Sequence, residues 1–251
     1  LDNNIYYSSG TAQYQLVSQN TWIPKTDWDG LIDFAGQNIW TDGKKIYYSV
    51  SYHQYELVSK NTWKSKIWNG LREFSGNPDI WADLDNNIYY SNGKKQYQLV
   101  SPDTWKEKKD WDGLTDFYGR NIWTDGKKIY YSYGTNQCQL NKYRNTYKWE
   151  TKTWEGLKSP NGSAIWTDGA NIYHSNGILQ YKLNNNTWSP KTWEGLTDFD
   201  GNPAYIWHDL QNNIYYSKGS AQYKLNKQSL TWKSITWTGL TNLNGSNVWL
   251  Y

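Results

Sequence analysis

Three sequence landmarks recur along the chain at an interval near 42 residues, and that periodicity limits the fold more than any other feature. Ile-Tyr-Tyr-Ser begins at Ile5, Ile46, Ile88, Ile129, Ile172 (there Ile-Tyr-His-Ser) and Ile214, at intervals of 41, 42, 41, 43 and 42 residues. Trp-x-Gly-Leu begins at Trp28, Trp68, Trp111, Trp154, Trp193 and Trp237. An Ile/Val-Trp pair places Trp40, Trp81, Trp123, Trp166, Trp207 and Trp249 at the same period, and a third series runs through Trp22, Trp63, Trp105, Trp149, Trp188 and Trp232. These series account for all 18 tryptophans, so none is left over for a special site. Repetition at this period is the mark of solenoids, propellers and arrays.

Each unit divides into four short β-like runs separated by turn residues. In one unit the runs are expected at Asn121 to Thr124, Lys128 to Ser132, Gln137 to Leu140 and Trp149 to Trp154, with Asp125-Gly126 as a hairpin turn and Gly156-Leu157 leading onward. Aromatic and β-branched residues fill the runs while Gly, Asn and Asp fill the gaps. No segment of about ten residues or more shows helical spacing, so the chain is expected to be all-β. Four strands per unit in six units predict a six-bladed β-propeller with four antiparallel strands per blade. An open solenoid would need capping repeats with a distinct outer face, and none is present.

The two ends match one unit when read across the gap. Val248-Trp249-Leu250-Tyr251 followed by Leu1-Asp2-Asn3-Asn4-Ile5 parallels Ile80-Trp81-Ala82-Asp83-Leu84-Asp85-Asn86-Asn87-Ile88. The C-terminal strand is therefore expected to pair with the N-terminal three strands, residues 246–251 and 1–28 forming the closing blade of a single domain, 1–251. The absence of Met leads us to expect a processed product, an excised domain or an engineered chain.

Composition removes several function classes. With 26 basic and 23 acidic residues, the net charge of +3 is too balanced to point to a nucleic-acid partner. No stretch approaches the roughly 20 apolar residues of a membrane span, so no membrane insertion is expected. One Cys excludes an internal disulfide and a multi-thiolate zinc site.

The second run ending in Tyr and a small-residue turn, a Tyr-bearing third run and Asn-Thr-Trp opening the fourth together resemble the Kelch repeat. The resemblance covers the whole chain. The Kelch double glycine is replaced by Ser-x-Gly, as at Ser8-Ser9-Gly10, Ser91-Asn92-Gly93 and Ser217-Lys218-Gly219, and the copy Ser49-Val50-Ser51 lacks the glycine altogether. The units also resemble Trp-Thr-Asp-Gly and Ile-Tyr-Tyr-Ser arrays of some bacterial and phage proteins. The resemblance implies the propeller architecture.

Catalysis would need residues that break the repeat. Cys138 replaces a repeated Tyr, while His53, His174 and His208 lie in different units and do not cluster. No nucleophile–His–acid set, phosphate loop or zinc spacing occurs, so no enzyme activity and no cofactor are expected. Asp42, Asp83, Asp125, Asp168 and Asp209 follow the first strand at one offset, with Tyr251 in the sixth place. They could ring one channel mouth and hold a hard cation through oxygen ligands. The favoured reading makes them turn caps, with no metal. The repeated glutamines, Gln13, Gln54, Gln96, Gln137, Gln180 and Gln222, are expected to tie loop backbone to the neighbouring blade.

In a propeller the second-to-third turns and the fourth-to-first connections share a face, and here those segments vary most. Tyr52, His53, Tyr118, Arg120, Tyr133 and Tyr205 are the candidate binding residues on it, combining aromatic area with polar tips. A monomeric, non-catalytic scaffold recognising a protein or peptide is the leading expectation. A lectin-like propeller binding glycan at repeated sites is the alternative, and a structural or engineered propeller without a natural ligand is the third.

Overall fold

The computed structural model describes residues 3–76, 78–143, 146–201 and 205–250. It is a ring of six four-stranded antiparallel sheets. Blade 1 joins Val248–Leu250 to Ile5–Ser9, Ala12–Ser18 and Thr21–Pro24. Blade 2 comprises Ile39–Thr41, Ile46–Val50, His53–Ser59 and Thr62–Ser65, and blade 3 Ile80–Ala82, Ile88–Asn92, Lys95–Ser101 and Thr104–Glu107. Blade 4 runs through Ile122–Thr124, Ile129–Tyr133, Asn136–Tyr143 and Thr146–Thr151. Blade 5 comprises Ile165–Thr167, Ile172–Asn176, Leu179–Asn184 and Thr187–Pro190, and blade 6 Ile206–His208, Ile214–Lys218, Ala221–Asn226 and Thr231–Ser234. The helical content described is single 3₁₀ turns such as Gly36–Asn38 and Gly119–Asn121. No helix among the described residues is long and apolar enough to cross a membrane.

The closing blade forms as the matching ends predicted. Ile5 pairs with Leu250 and Tyr7 with Val248, and the Trp249 indole donates to Ser8 Oγ at 2.8 Å. Leu1, Asp2 and Tyr251, which the sequence reading placed in this seam, lie outside the described residues.

All 18 tryptophans are buried, because each blade is only one sheet thick and finds its core against the next. Between blades 1 and 2, Trp249 and Tyr6 of one sheet pack on Trp63, Ile46 and Leu57 of the other. Trp28 and Phe34 of the linking segment fill the space between them. The Trp28 ring meets Tyr6 edge-on at 5.3 Å and Trp63 at 6.1 Å, distances at which aromatic pairs attract beyond simple area burial. The four phenylalanines of the chain, Phe34, Phe74, Phe117 and Phe199, all occupy this one wedge position, with Pro160 and Leu243 at the same hydrogen-bonded place in the remaining two.

The motif residues have separate jobs. The Ser of Ile-Tyr-Tyr-Ser accepts the indole N–H of the first-strand Trp in every blade, at 2.8–2.9 Å. Both groups are buried, where an unmet donor is costly. The Gly of Trp-x-Gly allows the link to touch the outer strand of the next blade. A Cβ on Gly30 would stand 2.0 Å from the Trp63 carbonyl oxygen, and φ there is +82°. That contact corrects one strand assignment. Trp154 does not end the fourth strand, which stops at Thr151; it belongs to the link, where Glu155 bridges to Thr187 of blade 5.

Candidate functional site

Two faces follow from this topology. The second-to-third turns and the later part of each link meet on what we call the upper face, where Phe34 N donates to Gly10 O at 3.2 Å and Phe117 N to Gly93 O at 3.1 Å. The early part of each link dips instead to the lower side, Asp29 N donating to Asn61 O of the next blade at 2.8 Å. Only half of the link is therefore available to the variable face. The repeated glutamine locks the junction: Gln96 Nε2 donates to Gly93 O at 2.5 Å and to Phe117 O at 3.1 Å. The same pair of bonds recurs from Gln13, Gln54, Gln137, Gln180 and Gln222. These glutamines are buried structural ties, as their repetition suggested.

The upper face brings two of the six candidate residues into contact. Tyr118 and Arg120 flank Gly119 at the end of the link into blade 4, and the guanidinium carbon lies 5.4 Å from the Tyr118 ring centre. Gly119 is needed because a Cβ there would sit 2.3 Å from the Asp79 carbonyl oxygen of blade 3. That close approach carries Arg120 across the blade boundary. Its Nε and Nη2 donate to the two carboxylate oxygens of Asp79 at 3.0 and 2.9 Å. Asp79 is buried, accepts a further bond from Asn92 Nδ2 at 2.9 Å, and holds the guanidinium above its ordinary basicity. Burial and the same carboxylate push Tyr90 up to about 12. The outer edge of Arg120 and the Tyr118 ring remain exposed, fixed in place before any partner arrives.

The other candidates stand apart. Tyr133 is exposed on the turn of blade 4, its phenol near enough to affect Tyr131. Tyr52 and His53 are exposed on the turn of blade 2, where the neighbouring Glu73 carboxylate pushes the Tyr52 phenol up. Tyr205 is half-buried on blade 6, with Lys218 Nζ 4.8 Å above its ring and Asp200 3.6 Å from that ammonium. Ser51, in the copy without a glycine, adopts the left-handed conformation with φ +52° that glycine supplies in the other turns. Asp79, Asn92 and Lys218 lie on the same variable segments, but the sequence did not single them out as candidate binding residues. The signal was present in the carboxylate one residue before the first strand of blade 3, where blades 2, 4 and 1 have Asn38, Asn121 and Asn247.

The aspartates do not assemble as a cation site. Asp83 Oδ1 accepts from the N–H groups of Asp85 and Asn87, both at 2.9 Å, while Oδ2 accepts the Tyr89 hydroxyl at 3.1 Å. Asp42, Asp125, Asp168 and Asp209 repeat the arrangement with Tyr47, Tyr130, Tyr173 and Tyr215. Each is a turn cap that also satisfies the first Tyr of the motif. Among the described residues no group of three or more His, Cys, Asp and Glu is placed to hold a metal. Tyr251, the sixth member proposed, lies outside them.

The residues that break the repeat elsewhere are scattered. Cys138 pairs across the sheet with Tyr131, and burial pushes its thiol up. His174 is buried in blade 5, accepting the Asn161 N–H at 3.2 Å through Nε2, and His208 ends the first strand of blade 6. Blade 4 carries an extended outer hairpin that the sequence reading did not distinguish. Its Tyr147 hydroxyl reaches Asp83 and Asp85 of blade 3 at 3.2 Å each and walls a groove of about 340 Å³ with Leu84, Ile129 and Lys142. The 43-residue interval between Ile129 and Ile172 was its trace.

No protein-family model and no curated protein matches the sequence. Solved structures with the same architecture do. The extracellular domain of a hybrid two-component system of B. thetaiotaomicron superposes with a TM-score of 0.54 at 11% identity, over 99% of this chain and 37% of that one. The extracellular domain of a one-component system from the same organism gives 0.55 at 11% identity, over 96% of this chain and 33% of that one. The chain thus spans about a third of the length of those two domains. The WD40 propeller domain of Doa1 gives 0.53 at 8% identity, over 99% of this chain and 88% of that one. At these identities the likeness is one of fold, and it supports the propeller architecture.

Proposed function

We propose that this chain is a Kelch-like binding propeller that acts without catalysis and recognises a protein or peptide on its upper face, around Tyr118, Arg120 and Tyr133. The observation that carries this reading is the Tyr118–Arg120–Asp79–Asn92 cluster. There, residues that break the repeat are braced across two blades while their outer surfaces stay open. A braced Arg beside the exposed Tyr118 ring loses little side-chain freedom on binding, which is what makes such residues effective anchors. Propellers commonly serve as interaction scaffolds, and a constant frame with variable loops suits that use.

Glycan binding at a site repeated in every blade is the competing reading. The constant residues it would use are committed elsewhere: the tryptophans are buried and the glutamines bond backbone. A sugar would have to be read by the variable loops instead. The test is selection from a displayed peptide library, followed by calorimetry on the selected peptide with Tyr118→Ala and Tyr133→Ala. We expect one peptide per chain and a loss of roughly thirtyfold in affinity for at least one variant, the effect of removing an anchor worth about 2 kcal/mol. Variants that bind like the parent, or several equivalents bound per chain, would overturn the assignment.

A further inference from the structure

The repeat supplies an internal comparison for two lysines of blade 4. Blade 2 carries Lys45 just before its second strand and Lys66 just after its fourth, with Glu56 of the third strand between them. Glu56 accepts from Lys45 Nζ at 2.5 Å and from Lys66 Nζ at 3.2 Å, and Lys66 also meets Asp103 on the outer turn of blade 3. The equivalent residues in blade 4 are Lys128, Lys152 and Gln139, and the turn residue of blade 5 is Asn186. The alignment is fixed by matching backbone bonds: Lys66 N to Gln54 O parallels Lys152 N to Gln137 O, and Asn69 N to Asp103 O parallels Glu155 N to Asn186 O. Both carboxylates of blade 2 are thus amides in blade 4, while both lysines are kept. Blades 1, 3, 5 and 6 have Asn4, Asn87, Asn171 and Asn213 at the Lys45 position, so the two-lysine frame belongs to blades 2 and 4 alone.

The lysines of blade 4 hold the same poses as their counterparts. Lys152 Nζ lies 4.7 Å from the Trp154 ring centre, as Lys66 Nζ lies 4.8 Å from that of Trp68. Lys128 Nζ donates to Gln139 Oε1 at 3.3 Å. Neither lysine has an ion-pair partner among the described residues. The nearby Asp125 is engaged by the N–H groups of Lys127 and Lys128 and the Tyr130 hydroxyl, as Asp42 is in blade 2. Burial and the charge of Lys128 lower the basicity of Lys152, whereas Asp103 and Glu56 raise that of Lys66.

We propose that blade 4 binds a carboxylate from outside the chain between Lys128 and Lys152, beside the Gln139 carboxamide that stands where blade 2 has Glu56. The two ammonium groups, neither held by a carboxylate of the chain, offer charge-assisted hydrogen bonds to its oxygens, while the Gln139 Nε2 stays with Asn141 Oδ1 at 2.5 Å. The carboxylate could be carried by a uronic acid or by an acidic side chain, and the chemistry is the same. The site lies between blades 4 and 5, away from Tyr118 and Tyr133, so it stands or falls independently of recognition on the upper face.

The test follows the indole N–H resonances of Trp154 and Trp68 in the intact chain while acetate replaces chloride at constant ionic strength. We expect Trp154 to shift and Trp68 to stay. Gln139→Glu supplies the carboxylate internally and should abolish the Trp154 response, and Glu56→Gln should create one at Trp68. A glucuronate oligosaccharide and a glutamate-rich peptide then separate the two sources. The one that is recognised should bind roughly tenfold more weakly to Gln139→Glu, the loss of about one charge-assisted hydrogen bond. An unmoved Trp154, a response that survives Gln139→Glu, or failure of both probes would overturn the proposal.

Discussion

His174 stands where the other five blades place Tyr7, Tyr48, Tyr90, Tyr131 and Tyr216, and it makes blade 5 sensitive to acid in a way that can be calculated. The ring is 4% exposed, between Tyr181 and Trp188, and its Nε2 accepts the Asn161 N–H, so the neutral imidazole is the form that fits. Burial pushes its pKa down from 6.5 to about 4. A group with a lowered folded pKa contributes stability above its unfolded value and loses it as pH falls through the folded one, because the unfolded chain takes up the proton first. The loss begins below pH 6.5 and is complete near pH 4. At 1.36 kcal/mol per unit, it amounts to about 3 kcal/mol. His174→Tyr restores the residue of the other blades and removes this term. Urea unfolding of both proteins at pH 7.5 and pH 4.5 measures it. The parent should lose about 2–3 kcal/mol more than the variant across that interval, with carboxylate titration cancelling in the difference. Equal losses would refute the argument, since the two chains differ in this one titrating group.

Three further outcomes follow from the packing. Gly119→Ala puts a Cβ 2.3 Å from a backbone oxygen of the next blade and should lower stability by about 3 kcal/mol or more, whereas Gly126→Ala, with open space around it, should cost about 1 kcal/mol for its φ of +82°. Urea midpoints of the two variants test the contrast. Ser132→Ala strands the buried Trp123 indole N–H and should cost roughly 1–3 kcal/mol in the same assay. Ser51→Gly relieves the left-handed φ of +52° and should raise stability by about 0.5 kcal/mol, readable as a small upward shift in Tm.

The architecture was legible because the repeat wrote it six times. Turn residues bounded the strands, and the matched ends announced the closing blade that Ile5 and Leu250 then formed. The structural role of the glutamines was readable for the same reason. A side chain kept in every unit serves the contact that every unit makes, here from Gln96 to Gly93 O and Phe117 O. The strand limits were less legible in blade 4. Periodicity of the motif says nothing about how far a hairpin extends beyond it, so Thr146 and Tyr147 went unassigned and Trp154 was placed in a strand.

The candidate site shows where the two sources of information part. The variable positions could be read by eye, since they are simply where the units differ. Their grouping could not, because Arg120 and Asp79 are 41 residues apart and meet only when adjacent blades close on Gly119. Tyr52, Tyr133 and Tyr205 looked equivalent to Tyr118 in the sequence and are separated around the ring by the same closure. The repeated motifs and the turn residues between them therefore determined the strands and their number. The blade-to-blade contacts, which depend on backbones approaching within a carbonyl's radius, decided which side chains are braced, which are buried and which are left to meet a partner.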